Sequence, residues 1–217
     1  MAYDLEEQEQ IASLKAFWSK FGNLITWLAI IVLGSYAAYN YWNYYQRNSA
    51  AEASGLYEEM QKSLAAKDNA KVQRIASDIE SKYQRSAYAQ MSALAAAKSA
   101  FDASDMKTAK ARLQWVVEHG SDEYQSVARL RLAGVLLDEK AHDEALKVLG
   151  GEVLPQFAAA VADRKGDVLV AQNKVAEARS AYQAALDAMA KNDPARQLVQ
   201  LKLEAIGGTV ATPKAAA

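Results

Sequence analysis

"ADRKGDVLVAQNKVAEARSAYQAAL", residues 162–186, carries the spacing from which the fold can be read. Gly166 is followed twelve positions later by Ala178, and then by Tyr182 and Ala185. Apolar-periodic stretches flank "AQNK" (171–174), whose Asn suits a tight turn, so the segment reads as two helices folded back on each other. Gly166 on the first helix and Ala178 on the second lack the side chains that would hold the backbones apart, and Tyr182 fills the adjoining groove. The same spacing recurs upstream. Ala133 and Ala145 stand twelve apart with Leu149 in the aromatic slot, and Ala97 and Ala109 do so with Leu113. Met60 and Val72 form the poorest copy. The second-helix positions 72, 109, 145 and 178 are separated by steps of 37, 36 and 33.

A drifting step close to 34, with small residues where two helices cross, resembles a divergent tetratricopeptide repeat. Turns at 66–69, 103–106, 139–143 and 171–174 carry the Asp or Asn that caps helices, and "SKYQRS", "EHGSDE", "GGEVLP" and "AKNDP" break the pattern between pairs. The spacing predicts helices near 52–66, 69–83, 86–101, 105–119, 123–139, 142–149, 155–171, 175–191 and 194–205. The last is expected to cap the stack with a partly apolar face of Leu198, Leu201, Lys202 and Ala205. Abundant alanine, three prolines and few β-branched runs favour helix throughout. The expected fold class is all-α: a single N-terminal transmembrane helix, then a tetratricopeptide-like solenoid of about four helix pairs plus a capping helix.

The transmembrane element is "LITWLAIIVLGSYAAYNYW", residues 24–42, inside an uncharged run from Phe21 to Gln46. A 19-residue helix spans roughly 28 Å, close to the hydrocarbon thickness of a bilayer. Lys20 and Arg47 can snorkel to the two interfaces, and a cluster of Tyr and Trp follows the apolar centre, where a cleavable signal would need small residues. The preceding "MAYDLEEQEQ" has four carboxylates and no base, which also disfavours a signal peptide. Lys15, Lys20 and the amino terminus precede the span, against Arg47 and Lys62 after it, which favours a cytoplasmic N-terminus. The expected domains are a short cytoplasmic segment 1–20, a transmembrane helix with interfacial aromatics 21–46, a periplasmic domain 47–206 and a disordered tail 207–217. Gly34, Ser35, Ala37 and Ala38 make a small-residue face that would let another membrane helix approach closely.

The side chains present set limits on function. The three basic and four acidic residues before position 48 leave 22 of each sign beyond it, so there is no electrostatic footprint for nucleic acid. Without cysteine there is no disulfide, thiolate metal site or cysteine nucleophile. His119 and His142 stand alone at a helix end and a turn, outside any metal-binding spacing. Carboxylate pairs such as Glu58-Glu59, Asp122-Glu123 and Asp138-Glu139 are adjacent and point to different sides of a helix. Gly150-Gly151 lacks the strand and lysine of a phosphate loop. No catalytic residue, cofactor, metal or small-molecule substrate is expected. Tyr88, Met91, Trp115 and Tyr124 are candidates for a binding face, although helix-spaced aromatics more often belong to the core.

The anchor and the array together, in that order, resemble the YfgM family, ancillary subunits of the bacterial Sec translocon. "YWN" (41–43), "LRLA" (130–133) and "VADRKG" to "ARSAY" (161–182) carry the resemblance, with Met60 and Val72 as departures in the first repeat. The resemblance implies a non-catalytic interaction module in the bacterial inner membrane, beside the Sec translocon. It also implies a membrane-anchored, isomerase-like periplasmic chaperone as partner, unfolded secretory or outer-membrane clients, and a cytoplasmic link to a stress-response regulator. The alternative is a tetratricopeptide scaffold for another envelope or division complex without a chaperone role.

Overall fold

The computed structural model describes residues 5–209, which form helices and, among the described residues, no strand. In order these are α1 (Leu5–Ala65), α2 (Asn69–Lys82), α3 (Ala87–Asp102), α4 (Met106–His119), α5 (Asp122–Asp138), α6 (His142–Leu149), α7 (Ala158–Ala171), α8 (Val175–Ala188) and α9 (Arg196–Ala205). The chain divides into two compact units, Met1–Ala51 and Glu52–Ala217. In the first unit α1 is long and apolar enough to cross a membrane, and only 6% of its most apolar window is buried.

The helix expected at 52–66 is not separate but forms the last turns of α1. No proline occurs before Pro155, and Asn48 and Ser49 alone do not interrupt a helical backbone. The stretch expected as one helix from 155 opens with a 3₁₀ turn at Pro155–Phe157, because extended Leu154 precedes the proline that starts it. α9 begins at Arg196, after a turn in which the Asp193 carboxylate accepts from the Ala195 N–H at 2.8 Å. The tail expected from Gly207 lies outside the described residues beyond Thr209, as do residues 1–4 of the expected cytoplasmic segment.

Within the second unit one turn is used four times. Lys67, Ser104, Lys140 and Asn173 have φ of 56°, 61°, 62° and 60°, and each stands five residues before a second-helix marker. In each the next residue's N–H reaches back five positions: Asp68 to Ser63, Asp105 to Ala100, Ala141 to Leu136 and Lys174 to Leu169. These bonds satisfy carbonyls at the end of the first helix, the Schellman arrangement. Asp68 and Asp105 then cap the second helix by accepting from the N–H of Lys71 and Thr108 at 3.0 Å. Thr108, through its side chain first and then its backbone N–H, holds the Asp105 carboxyl below its ordinary range. Ala141 and Lys174, at the same place, make no side-chain cap.

Packing runs from each helix to its neighbours, as expected of a stack whose units touch only adjacent units. The buried side chains accordingly form three successive clusters. Met60, Val72, Ile75 and Ile79 fill the first, which takes in the start of α3. Leu113, Val116, Leu132, Leu136 and Leu149 belong to the second, and Tyr182, Leu186, Val199 and Leu203 to the third. The buried face of α9 is therefore Val199 and Leu203. Leu198 and Leu201, expected to face the stack, are 57% and 56% exposed. Lys202, between the two faces, pairs with Asp163 and Asp167 of α7 at 2.9 and 2.8 Å.

Candidate functional site

The eight repeat positions named from spacing are all buried. Ala109, Ala133, Ala145, Ala178 and Ala185 have no exposed area, Ala97 and Tyr182 keep 3%, and Gly166 is enclosed. A Cβ on Gly166 would lie 2.4 Å from the Tyr182 ring, so the glycine is what lets α7 and α8 close. Tyr182 cannot easily yield, because its hydroxyl donates to Asp167 Oδ1 at 2.9 Å. Burial first, and then Asp167, pushes that phenol's pKa well up. Lys202 completes the cluster. Burial pulls its ammonium down, but Asp167 and Asp163 outweigh this and raise it. Met60 and Val72, the departures in the first repeat, are also fully buried.

Two pairs are joined by a second polar cluster. Arg112 of α4 donates to Glu80 Oε2 at 2.5 Å, to the Gln73 carbonyl at 2.9 Å and to Ser77 Oγ at 2.8 Å, all on α2. The side chains of Arg112 and Glu80 are only 14% and 11% exposed, and Glu80 Oε1 has no partner among the described residues. Burial therefore raises the Glu80 carboxyl, and Arg112 opposes that shift without cancelling it. Both clusters are structural: each fastens neighbouring helices.

An open cavity of about 420 Å³ lies along the first helices of the last three pairs. α3 contributes Lys98 and Phe101, α5 contributes Arg131, Gly134 and Asp138, and α7 contributes Arg164. Its floor is apolar, and at Gly134 the α5 backbone is uncovered, with Arg164 Nη1 3.8 Å from where a Cβ would sit. Phe101 is 38% exposed. Lys98 is tied to Asp102 at 2.6 Å and Arg164 approaches Asp167 at 3.8 Å, while Arg131 has no carboxylate partner among the described residues. The cavity thus offers an apolar wall beside an available guanidinium. That suits an extended peptide with an apolar side chain and a carboxylate.

None of the four aromatic and Met candidates lies in this cavity. Tyr88 packs at a tilt against Tyr57 in the first cluster at 5.6 Å, Trp115 bridges the first and second clusters, and Tyr124 packs against the second. Met91 is half-buried. The apolar residues that do face solvent in the array include Phe101 and Val170. Both stand four positions after a first-helix marker, Ala97 and Gly166, so the repeat register held the signal that composition did not. His119 Nδ1–H donates to the Trp115 carbonyl (2.9 Å), and the ring stacks on that indole at 4.8 Å, a helix-end role. Among the described residues no group of three or more His, Cys, Asp or Glu could hold a metal ion. In α1, Gly34, Ser35, Ala37 and Ala38 are exposed, and nothing lies within 4 Å of a Cβ on Gly34.

Comparison with known proteins covers nearly the whole chain. The tetratricopeptide repeat-like domain family matches residues 15–208. A Neisseria gonorrhoeae protein named ancillary SecYEG translocon subunit is 32% identical over 211 residues, 95% of this chain and 100% of the relative. A Haemophilus influenzae protein of the same name is 28% identical over 204 residues, covering 94% and 98%. The Escherichia coli protein of that name is 31% identical over 180 residues, covering 82% and 86%.

Proposed function

We propose, from the premise that this chain belongs to the tetratricopeptide repeat-like family of ancillary SecYEG translocon subunits, that it is a Sec-associated, membrane-anchored interaction module. What carries this reading is that the similarity spans anchor and array together. One relative is matched over its full length and 95% of this chain, whereas an unrelated adaptor would share the repeats alone.

On this reading the protein is a non-catalytic adaptor of the bacterial inner membrane, with residues 1–20 cytoplasmic and the array from residue 47 periplasmic. The balance of Lys and Arg around the span supports that orientation. The tether acts by holding the groove at high local concentration near the channel exit, without any bond being made or broken. Emerging secretory or outer-membrane chains would enter the groove by an apolar side chain against Phe101 and an acidic group at Arg131. A membrane-anchored, isomerase-like chaperone is the partner assigned to the same assembly, and a stress-response regulator is assigned to the cytoplasmic segment. Gly34, Ser35, Ala37 and Ala38 are the face offered to a neighbouring membrane helix.

Photocrosslinkers placed at Phe101 and Arg131 of the full chain, followed by mild-detergent purification, test this. Translocon subunits should co-purify and nascent secretory chains should crosslink. A fixed envelope or division complex, without translocon or clients, would replace this reading with that of a scaffold.

A further inference from the structure

Ahead of the span, α1 carries a stripe that the proposed function does not use. Ile11, Leu14, Phe17, Trp18 and Phe21 are 47%, 68%, 50%, 59% and 38% exposed. At 3.6 residues per turn they fall within roughly 120° of the helix circumference, with Ala12, Ala16 and Ser19 opposite. Lys15 and Lys20 flank the stripe on its two sides. The Lys20 ammonium lies 5.5 Å from the Phe21 ring centroid, and Phe17 and Phe21 pack at 5.1 Å.

The uncharged run from Phe21 to Gln46 already measures roughly 39 Å as helix, more than a hydrocarbon core of about 30 Å. Residues 11–20 continuing along the same axis would carry Ile11, Leu14, Phe17 and Trp18 away from the hydrocarbon core. We propose instead that residues 11–21 form an amphipathic helix lying in the membrane interface, its stripe in the acyl boundary and its two lysines raised to the headgroups. The occupant is the bilayer because the stripe runs without interruption into the lipid-exposed face of the span.

The axis must then turn near Gly22, where the helix is least reinforced. Gly22 has the lowest intrinsic helix preference short of proline. Thr26 Oγ1 donates to the Gly22 carbonyl at 2.8 Å, a back-bond of the kind that bends helices. Trp18 lies over Gly22 so closely that a Cβ there would sit 3.1 Å from the indole. Apolar burial drives the association. The carboxylates before Ile11 oppose attraction to anionic lipid, so charge contributes little.

This inference rests on the membrane-span reading, and the test separates the two. The absence of cysteine allows single nitroxide labels on the full chain in nanodiscs of phosphatidylethanolamine and phosphatidylglycerol. Labels go to Ile11→Cys, Leu14→Cys and Phe17→Cys, to Ala12→Cys, Ala16→Cys and Ser19→Cys, and to Leu28→Cys and Ile31→Cys as span references. Oxygen accessibility should exceed that of an aqueous nickel complex several-fold at 11, 14 and 17, and the order should reverse at 12, 16 and 19. Aqueous accessibility at all six, with 28 and 31 still in lipid, would overturn the interfacial helix and leave the span intact. Dipolar broadening at Leu14→Cys that vanishes on dilution with unlabelled chain would overturn it in favour of pairing between copies. Aqueous accessibility at 28 and 31 would overturn the span itself.

Discussion

Gly166 and Tyr182 show how one missing side chain sets a helix crossing. The Tyr182 ring occupies the space of a Cβ at 166 and is fixed there by Asp167, which is in turn held by Lys202. Gly166→Ala should therefore destabilise the array by about 1–3 kcal/mol, the usual cost of overpacking a well-filled site. Thermal unfolding of the full chain in detergent checks this. The same substitution in a Tyr182→Leu background should cost less, because the two positions share one space. The pairing was legible from spacing, since small residues twelve apart mark a crossing. The Asp167–Lys202 bracing was not, because it joins α7 to α9 across 35 residues and no local pattern marks it.

At the level of the element, the recurrent left-handed turn explains why helix pairs form where they do. Three of its four residues, Lys67, Ser104 and Lys140, are neither glycine nor asparagine, and each bears the steric cost of that conformation. Lys140→Gly should raise stability by about 1 kcal/mol, and Asn173→Gly by less, since asparagine tolerates the left-handed region. Melting temperatures of the two variants against the parent decide this. The turns themselves could be placed from their Asp and Asn residues, but the conformation could not, because no glycine announced it. The register of α9 was also hidden. Leu198 and Leu201 satisfy helical periodicity as well as Val199 and Leu203 do. The choice between the two faces is made by contacts with α7 and α8, among them the Lys202 ion pairs and the bond from Arg196 to the Leu186 carbonyl.

For the whole molecule, stability depends on links between pairs, and one of these is sensitive to pH. Burial holds the Glu80 carboxyl above its ordinary 4.5, against the opposing pull of Arg112. Between 4.5 and that raised value the folded chain binds more protons than the unfolded one, so stability falls as pH rises. The contribution is complete below 4.5 and is lost as pH climbs through the folded-state value. Glu80→Gln removes this slope. The difference in melting temperature, parent minus variant, should decrease as pH rises above 4.5 through the raised folded-state value. A difference that stayed flat, or widened as pH rose, would refute the assignment.

The all-helical array, its four pairs and cap, and an apolar segment long enough to cross a bilayer are encoded locally along the chain. These follow from periodicity, small-residue spacing and length, which act between residues near each other in the chain. Tertiary structure decided which apolar residues are left over. Tyr88, Trp115 and Tyr124 went to cores because a neighbouring pair covers them, while Phe101 stayed exposed beside Arg131 because the first helices of successive pairs leave a cavity there. Burial is a property of the stack, set by neighbours more than thirty residues away, and a helix seen alone has no means of showing which of its faces they will reach.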